Sequence, residues 1–359
     1  MSRYILQRLI ISLPVLIGVV ALTFVLARLI PGNPCTAMLG EKATPEICER
    51  FNREKGLDKP VVVQFLVFMG DVLQGDFGES LRYKRPVTTL IIERLPATIE
   101  LGVVAIIIAS IFGVTAGIIS AVRRNSIFDV GTMMVANIGV SMPVFWLGLI
   151  LAYIFALLLK DTPFWLPPSG RLTAGIDSKP FYEVFGWEIS ANSIGGNIAQ
   201  FISNFYLFNS VITGQWKVFV DTVQHLILPA LALATIPTAI IARMTRSSTI
   251  EVLGLDYVRT ARAKGLSERR VVLWHAFRNA LLPIVTIIGL QLGAIFSGAV
   301  LTETVFNLAG VGRVLYDAIT ARDYPVIQAF TLVIAFGYVL ANLLVDLSYA
   351  YFDPRIRLD

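Results

Sequence analysis

The chain is poor in charge and carries almost none of the residue patterns that make an enzyme. Only 15% of its 359 residues are Asp, Glu, Lys or Arg, against roughly 25% in a soluble domain. That is too little polar surface for the pair of soluble domains its length would suggest. There are two histidines and two cysteines, and His225 and His275 lack the spacing of a zinc site. No G-x-x-x-x-G-K-[ST] loop, H-E-x-x-H or G-x-S-x-G occurs, so the chain has no such cradle for ATP phosphates and no such hydrolytic centre. No catalytic residue, metal ligand or cofactor site is expected, and nothing points to an enzyme acting alone. Period-two alternation is also missing, which excludes a transmembrane barrel.

In place of these are long apolar runs. Hydrophobic residues make up 55% of the chain and the mean hydropathy is +0.71. Six runs approach or exceed the roughly 20 residues a helix needs to cross a hydrocarbon core: Leu9 to Ala27, Ala97 to Ala121, Val130 to Leu159, Leu226 to Ala242, Leu281 to Leu301 and Val326 to Tyr351. Backbone groups in lipid must pair within their own segment, so these runs predict helices. The first is too long for a signal h-region and lacks an A-x-A-like site, so it reads as a retained span. The fold class is an all-α, polytopic helical membrane protein with six transmembrane helices.

The positive-inside rule orients the spans. With both termini in the cytosol, Arg3, Arg8, Arg123, Arg124, Arg355 and Arg357 share one side. There they join Arg243, Arg246, Arg259, Arg262, Lys264, Arg269, Arg270 and Arg278, while the opposite loops are mixed in sign. The net charge of +5 is then mostly topogenic, and a nucleic-acid partner gains little from it. The chain divides into an N-terminal stub with the first span (1–30), a first external loop (31–96) and a core (97–359). The core holds an external loop (160–222) and a cytosolic loop (243–280). In the first loop, Pro45 to Asp58 suits a short helix, Gln64 to Leu73 a helix on the membrane surface, and Gly75-Asp76-Phe77-Gly78 a turn. An oxidising face would allow a disulfide between Cys35 and Cys48; two free thiols are the plain alternative, and sequence does not give the Cα separation that decides it. Pro167-Pro168-Ser169-Gly170 is a stiff corner in the second loop. The aromatics Phe181, Tyr182, Phe185 and Trp187 are costly to leave idle in water and favour a docking or lid surface there.

Asp256 to Val271 is the most informative segment. Asp256 suits an N-cap, the Ala-rich stretch after it is helix-forming, and Gly265 suits the left-handed position that ends a helix. Ser267 then suits the cap of a second helix with Glu268 in its first turn, while Leu266 and Val271 have the spacing of a hydrophobic staple. This predicts a helix–corner–helix protrusion fit for mechanical contact with a cytosolic partner. An ordinary basic inner loop is the plain alternative. A DNA-reading helix-turn-helix is disfavoured by tethering both ends to the bilayer.

The same segment resembles the cytosolic motif of ABC-transporter permease subunits, E-A-A-x-x-x-G followed by I-x-L-P. Gly265 takes the glycine, Arg259, Thr260 and Ala261 stand where the pattern has Glu, Ala and Ala, and Leu282-Pro283 supplies the later pair. In the form Tyr257-Val258-Arg259-Thr260-Ala261-Arg262-Ala263-Lys264-Gly265-Leu266 it is similar to the version in dipeptide, oligopeptide and nickel permeases. Further strings, in order, carry the same likeness. They are Arg28-Leu29-Ile30-Pro31-Gly32-Asn33-Pro34, Gly75-Asp76-Phe77-Gly78-Glu79-Ser80, Ser141-Met142-Pro143-Val144-Phe145-Trp146, Arg243-Met244-Thr245-Arg246-Ser247-Ser248, Leu301-Thr302-Glu303-Thr304-Val305-Phe306, Arg322-Asp323-Tyr324-Pro325 and Asp353-Pro354-Arg355-Ile356-Arg357. By this resemblance the chain is identified as a B-type permease of the dipeptide and oligopeptide importer family, with a type I importer fold.

That resemblance implies a prokaryotic cytoplasmic (inner) membrane location and a heteromeric importer. Its partners would be a sister permease, two cytosolic ATPases that bind ATP and Mg, an external substrate-binding protein, a peptide substrate and the bilayer. It also implies that Arg259, Thr260, Ala261, Arg262, Ala263, Lys264, Gly265 and Leu266 couple to the ATPases. Burial of polar groups within spans is costly, which makes Asn137, Ser141, Gln291 and Glu303 candidates for the pathway. Helix–helix bonding or a span-end position are their plain alternatives. Glu100 lies near a span end and Asp346 near the inner end, within reach of a cytosolic arginine. Nickel, glutathione or an oligosaccharide remain alternative cargoes. An ion-driven secondary transporter would need midspan charges and repeats, which are largely missing, and a membrane scaffold without transport is a third reading.

Overall fold

The computed structural model describes residues 2–29, 32, 34–190 and 193–352, with side chains at all of these except 2–4, 38, 296–297 and 348–352. The C-terminal string at 353–357, with Arg355 and Arg357, lies outside the described residues, as do Ile30, Pro31, Asn33 and the side chains of Arg3 and Tyr351.

In chain order the helices are α1 (Ser2–Leu29), α2 (Pro34–Leu39), α3 (Pro45–Glu54), α4 (Val61–Leu73), α5 (Val87–Val122), α6 (Ile127–Ser141) and α7 (Val144–Ala152) with a π-helical turn (Tyr153–Leu158). Then come α8 (Phe181–Val184), α9 (Ile194–Ser203), α10 (Tyr206–Thr213), α11 (Trp216–Leu253) and α12 (Asp256–Ala263). The last are α13 (Glu268–Arg270), a π-helical turn (Val271–Phe277), α14 (Arg278–Val305), α15 (Val311–Ala321) and α16 (Tyr324–Phe352). No strand occurs among the described residues.

Five continuous helical stretches are long and apolar enough to cross a bilayer, and α6 with α7 makes a sixth only as a pair bent by 101°. The single span expected from Val130 to Leu159 is therefore broken. Pro143 has no N–H to continue the ladder and drives the residue before it out of the helical region. Met142 is accordingly extended, with φ −84° and ψ 131°.

The core forms where α11 lies against α5. The apolar window of α11 is 67% buried and that of α1 only 11%, so α11 is the central element and α1 a peripheral one. Lipid gives helices little hydrophobic reason to associate, and close approach through small residues takes over that role. Gly113 and Gly117 on α5 supply the approach. A Cβ on Gly113 would lie 2.8 Å from the Thr238 carbonyl oxygen, and one on Gly117 would lie 2.5 Å from Cβ of Thr245. Around them Leu101, Ala105, Ala109, Ala230, Ala234 and Ile241 are buried. At 38 residues, α11 is about 57 Å long at 1.5 Å per residue, well beyond a hydrocarbon core of about 30 Å. It therefore reaches past the membrane into the corner at 256–270.

The segment between α1 and α5 folds as short helices. Thr44 accepts the Ile47 N–H at the start of α3, and α4 leaves Val62, Leu66, Val67 and Leu73 exposed, as a helix lying on a membrane would. The Gly75–Gly78 turn is closed by the Gly78 N–H on Asp76 at 2.8 Å. Cys35 and Cys48 form a disulfide with Cα atoms 5.4 Å apart. In the second long segment Gly170 turns at φ +90° and donates its N–H to the Phe306 carbonyl at 2.9 Å. Phe181 meets Tyr182 and Trp187 edge to face, and Phe185 lies tilted against Trp187, with centroids 5.7 to 5.9 Å apart, so part of their apolar surface is used within the loop.

The Gly117 contact makes a direct prediction. Gly117→Val should overpack the α5–α11 seam at a cost on the order of 1–3 kcal/mol, lowering the melting temperature in detergent by several degrees. Gly18→Val, at a helical glycine whose Cβ would meet nothing within 4 Å, should leave it unchanged. Equal melting of the two variants would refute the role of the seam.

Candidate coupling surface and polar clusters of the spans

The corner at 256–270 is built on a glycine. α12 ends at Ala263 with Lys264 as its C-cap, and Gly265 has φ +77° with open space where a Cβ would stand, so backbone conformation rather than room requires glycine. Its N–H donates to the Arg262 carbonyl at 2.9 Å and the Leu266 N–H to the Ala261 carbonyl at 3.4 Å, the paired bonds of a Schellman motif. Val258, Ala261 and Val271 are buried together, with Val252, Leu253 and Leu266 against them. The expected staple of Leu266 and Val271 is thus part of a small private core. Arg262 donates twice to Glu268, at 3.1 and 2.7 Å, and spans the corner. This carboxylate holds the Arg262 guanidinium above its usual range. Being exposed, the pair adds little stability but fixes the angle between the helices.

Two capping expectations change. Leu255, in extended conformation, is the residue before the helix, and Asp256 is its first helical residue. There its carboxylate still favours the positive helix end and pairs with Arg259 at 3.3 Å. Ser267 occupies the second N-cap, but its hydroxyl makes no capping bond.

The eight residues of the expected coupling segment divide by direction. Arg259, Thr260, Arg262, Ala263, Lys264 and Gly265 are exposed, Ala261 is buried and Leu266 is half-buried. Sequence reasoning passed over the apolar residues beside them. Leu255, Tyr257, Leu273 and Trp274 are all exposed, and a Trp in a basic loop between spans was the available signal.

The four polar span residues do not share one place. Asn137 accepts from Arg243 at 3.1 Å, and the Ser141 hydroxyl donates to the Asn137 carbonyl at 2.9 Å. Both border one open cavity of about 790 Å³ together with Asp129, Met133 and Arg246. Gln291 is half-buried on α14 and does not border that cavity. Glu303 is buried in a knot of three helices. It accepts from the Thr98 hydroxyl at 2.6 Å and from the Arg313 N–H at 3.1 Å, and its carboxylate fills the space a Cβ on Gly310 would take. Thr98 in turn accepts the Val311 N–H at 2.8 Å.

Other buried charges act as fasteners too. Glu100 accepts from Arg171 at 2.6 Å and from the Leu207 N–H at 2.7 Å, while Arg171 lies 3.7 Å over the Tyr206 ring. This ties the 160–215 segment to α5. Asp129 receives Arg246 twice, at 2.7 and 2.8 Å, and the Ser120 hydroxyl, joining α5, α6 and α11. Asp346 pairs with Arg8 at 3.3 Å, as its position near a span end suggested. Asp323 accepts the Ser80 hydroxyl at 2.5 Å and the Arg82 N–H at 3.0 Å. Beside it, Arg28 donates to Gln64 at 2.9 Å and lies 5.1 Å over the Tyr324 ring. The strings around Arg28, Ser80 and Asp323, far apart in sequence, therefore meet on one face.

Comparison with known proteins follows the same end-to-end pattern. Residues 1–102 match the family described as the N-terminal part of the binding-protein-dependent transport system membrane component. Residues 113–358 match the binding-protein-dependent transport system inner membrane component. The chain is 46% identical to the dipeptide transport system permease protein DppB of Alkalihalophilus pseudofirmus, over 99% of this chain and 100% of that one. It is 45% identical to the di/tripeptide transport system permease protein DppB of Pseudomonas aeruginosa. With the dipeptide transport system permease protein DppB of Escherichia coli K12 the identity is 44%. In both cases 99% of each chain is covered. Helical spans, the family match and full-length likeness agree: this multi-pass membrane chain belongs to the family of binding-protein-dependent transport system inner membrane components.

Proposed function

We propose that the chain is the permease subunit of an ATP-driven importer of di- and oligopeptides, pairing with a sister permease to form a pathway that works by alternating access. The observation that carries this reading is identity of 44 to 46% with dipeptide permeases over 99% of the chain. Two cytosolic ATPases, which bind ATP and Mg, and an external substrate-binding protein complete the machine. The chain itself performs no chemistry. In this reading the 31–96 and 160–222 segments lie outside, where the Cys35–Cys48 bridge suits an oxidising compartment, and the corner at 256–270 lies in the cytosol with both termini.

The corner is the coupling element. Its private core and Schellman stop make it rigid, and Arg259, Thr260, Arg262, Ala263, Lys264 and Gly265 offer the contact, with Leu255, Tyr257 and Trp274 as apolar anchors. Ala261 and Leu266 hold the shape from inside. ATP enters as a difference in ATPase affinity for the corner between two permease states, and the spans rock as rigid bodies in response. Of the span residues, Asn137 and Ser141 face the pathway, while Glu303 ties helices together.

Reconstitution in vesicles with the sister permease, both ATPases and the binding protein should give dipeptide entry that stops when hydrolysis is blocked. Accumulation that persists without hydrolysis, or entry of nickel, glutathione or an oligosaccharide in place of peptide, would reject the proposal. In the same system Gly265→Pro cannot adopt the positive φ and loses the N–H bond to Arg262. Peptide entry per ATP should fall at least tenfold with the chain still inserted. Gly265→Asn, which tolerates the left-handed region, should stay within a few-fold of the original. Normal coupling in the proline variant would remove the corner from the mechanism.

A further inference from the structure

One face of α6 carries a polar ladder. Asn125, just before the helix, is followed at every fourth residue by Asp129, Met133, Asn137 and Ser141, and all five border the same cavity of about 790 Å³. A step of four residues turns only about 40° around a helix, so these side chains stay on one slowly winding stripe. α6 has 15 residues, or about 22 Å at 1.5 Å per residue, which is most of a hydrocarbon core of about 30 Å. The stripe runs from the loop at 123–126 to the break at Met142 and Pro143.

Lipid is the wrong solvent for this face. Asn137, Ser141 and Pro143 are exposed, and Pro143 lacks the N–H that would satisfy the Gly139 carbonyl. Non-helical backbone at membrane depth is tolerated only inside protein or along a water-filled cavity. The charges divide unequally along the stripe. Arg246 is neutralised by Asp129, whereas the exposed Arg243 guanidinium meets the neutral Asn137 amide at 3.1 Å. Met133 stands in the ladder and Met134 and Met142 border the same cavity, and flexible thioethers adapt to apolar groups of varied shape.

We propose that this stripe, with Arg243, is one wall of a water-filled inner half of the cargo route, ending upward at the broken span. The inference rests on the peptide-importer reading and specifies its contacts. Asn137 and Ser141 offer hydrogen bonds to the amide groups every peptide shares, the methionines accommodate side chains of any shape, and Arg243 attracts the terminal carboxylate.

Thiol labelling tests it in the complete transporter. The chain's two cysteines are joined to each other, so Asn137→Cys or Ser141→Cys introduces the single free thiol of this subunit. A membrane-impermeant, charged methanethiosulfonate added to inside-out vesicles should react with either thiol at least tenfold faster than with that of Ile111→Cys, at an exposed position on α5. Reaction should also reduce peptide uptake several-fold from each variant's own starting rate. Rates equal to that of Ile111→Cys would overturn the proposal by placing the face against lipid or the sister subunit. Fast reaction without loss of uptake would overturn it by placing the water outside the route. Failure of the peptide reading is distinct, because no variant or parent would then take up peptide before reagent is added, while labelling rates would still report whether the face is wet.

Discussion

The close seating of α11 on α5 is the constraint on which the rest of the molecule depends. Within lipid the gain from bringing helices together comes from contact rather than from hiding apolar surface, and contact falls off steeply with distance. Gly113 and Gly117 let the backbones approach until Thr238, Ile241 and Thr245 fill the space of the missing side chains. The buried tie that bridges the two helices spans a distance set by that approach. The Asp129–Arg246 pair reaches from α6 to α11 with Ser120 of α5 beneath it, a geometry that requires three helices in register.

Buried carboxylates do the fastening because a membrane protein has few alternatives. Leaving Glu100, Asp129 or Glu303 unpaired in a low-dielectric setting would cost several kcal/mol, so each is met by an arginine, hydroxyls or backbone N–H groups. The benefit is specificity of arrangement more than net stability. Glu303 joins α14 to α5 through Thr98 and to the start of α15 through the Arg313 N–H, with Gly310 leaving room for the carboxylate. The same logic joins the first long segment to the end of the chain, where Ser80 meets Asp323. Most of the family-like strings are therefore internal clasps, and the string at 257–266 differs in turning its polar residues outward.

Much of this was legible beforehand, for physical reasons. Apolar runs report their spans directly, because lipid leaves no other use for them, and the Gly265 stop was visible because only glycine takes that conformation freely. Asp256 was misplaced by one residue as a cap, since Leu255 already adopts the extended conformation and the acidic side chain serves as well inside the first turn. The break at Met142 was written in Pro143, but an uninterrupted apolar run concealed it: composition reports solubility in lipid, whereas a bend is a backbone event. Glu303 and Asn137 look alike in sequence, each a polar residue near apolar neighbours. Which one is locked in a knot and which borders a cavity depends on partners 205 and 106 residues away in the chain.

The arrangement also bears on how a push at the corner would reach the broken span under the proposed mechanism. α11 is helical from Trp216 to Leu253 and delivers the chain directly into the corner, so displacement of α12 is borne first by α11. Arg243 and Arg246 project from that same stretch onto Asn137 and Asp129 of α6. Under that mechanism the helix that receives the push is bonded to the cavity wall within about three turns of its own end. Pro229 and Pro237 lie farther along α11, and each deletes a ladder bond where kinks arise. They interrupt the ladder between the stretch next to the corner and the N-terminal part of α11. Under that mechanism motion is spent on the α6 side of the break, while Glu303 keeps α14 tied to α5 and to the start of α15.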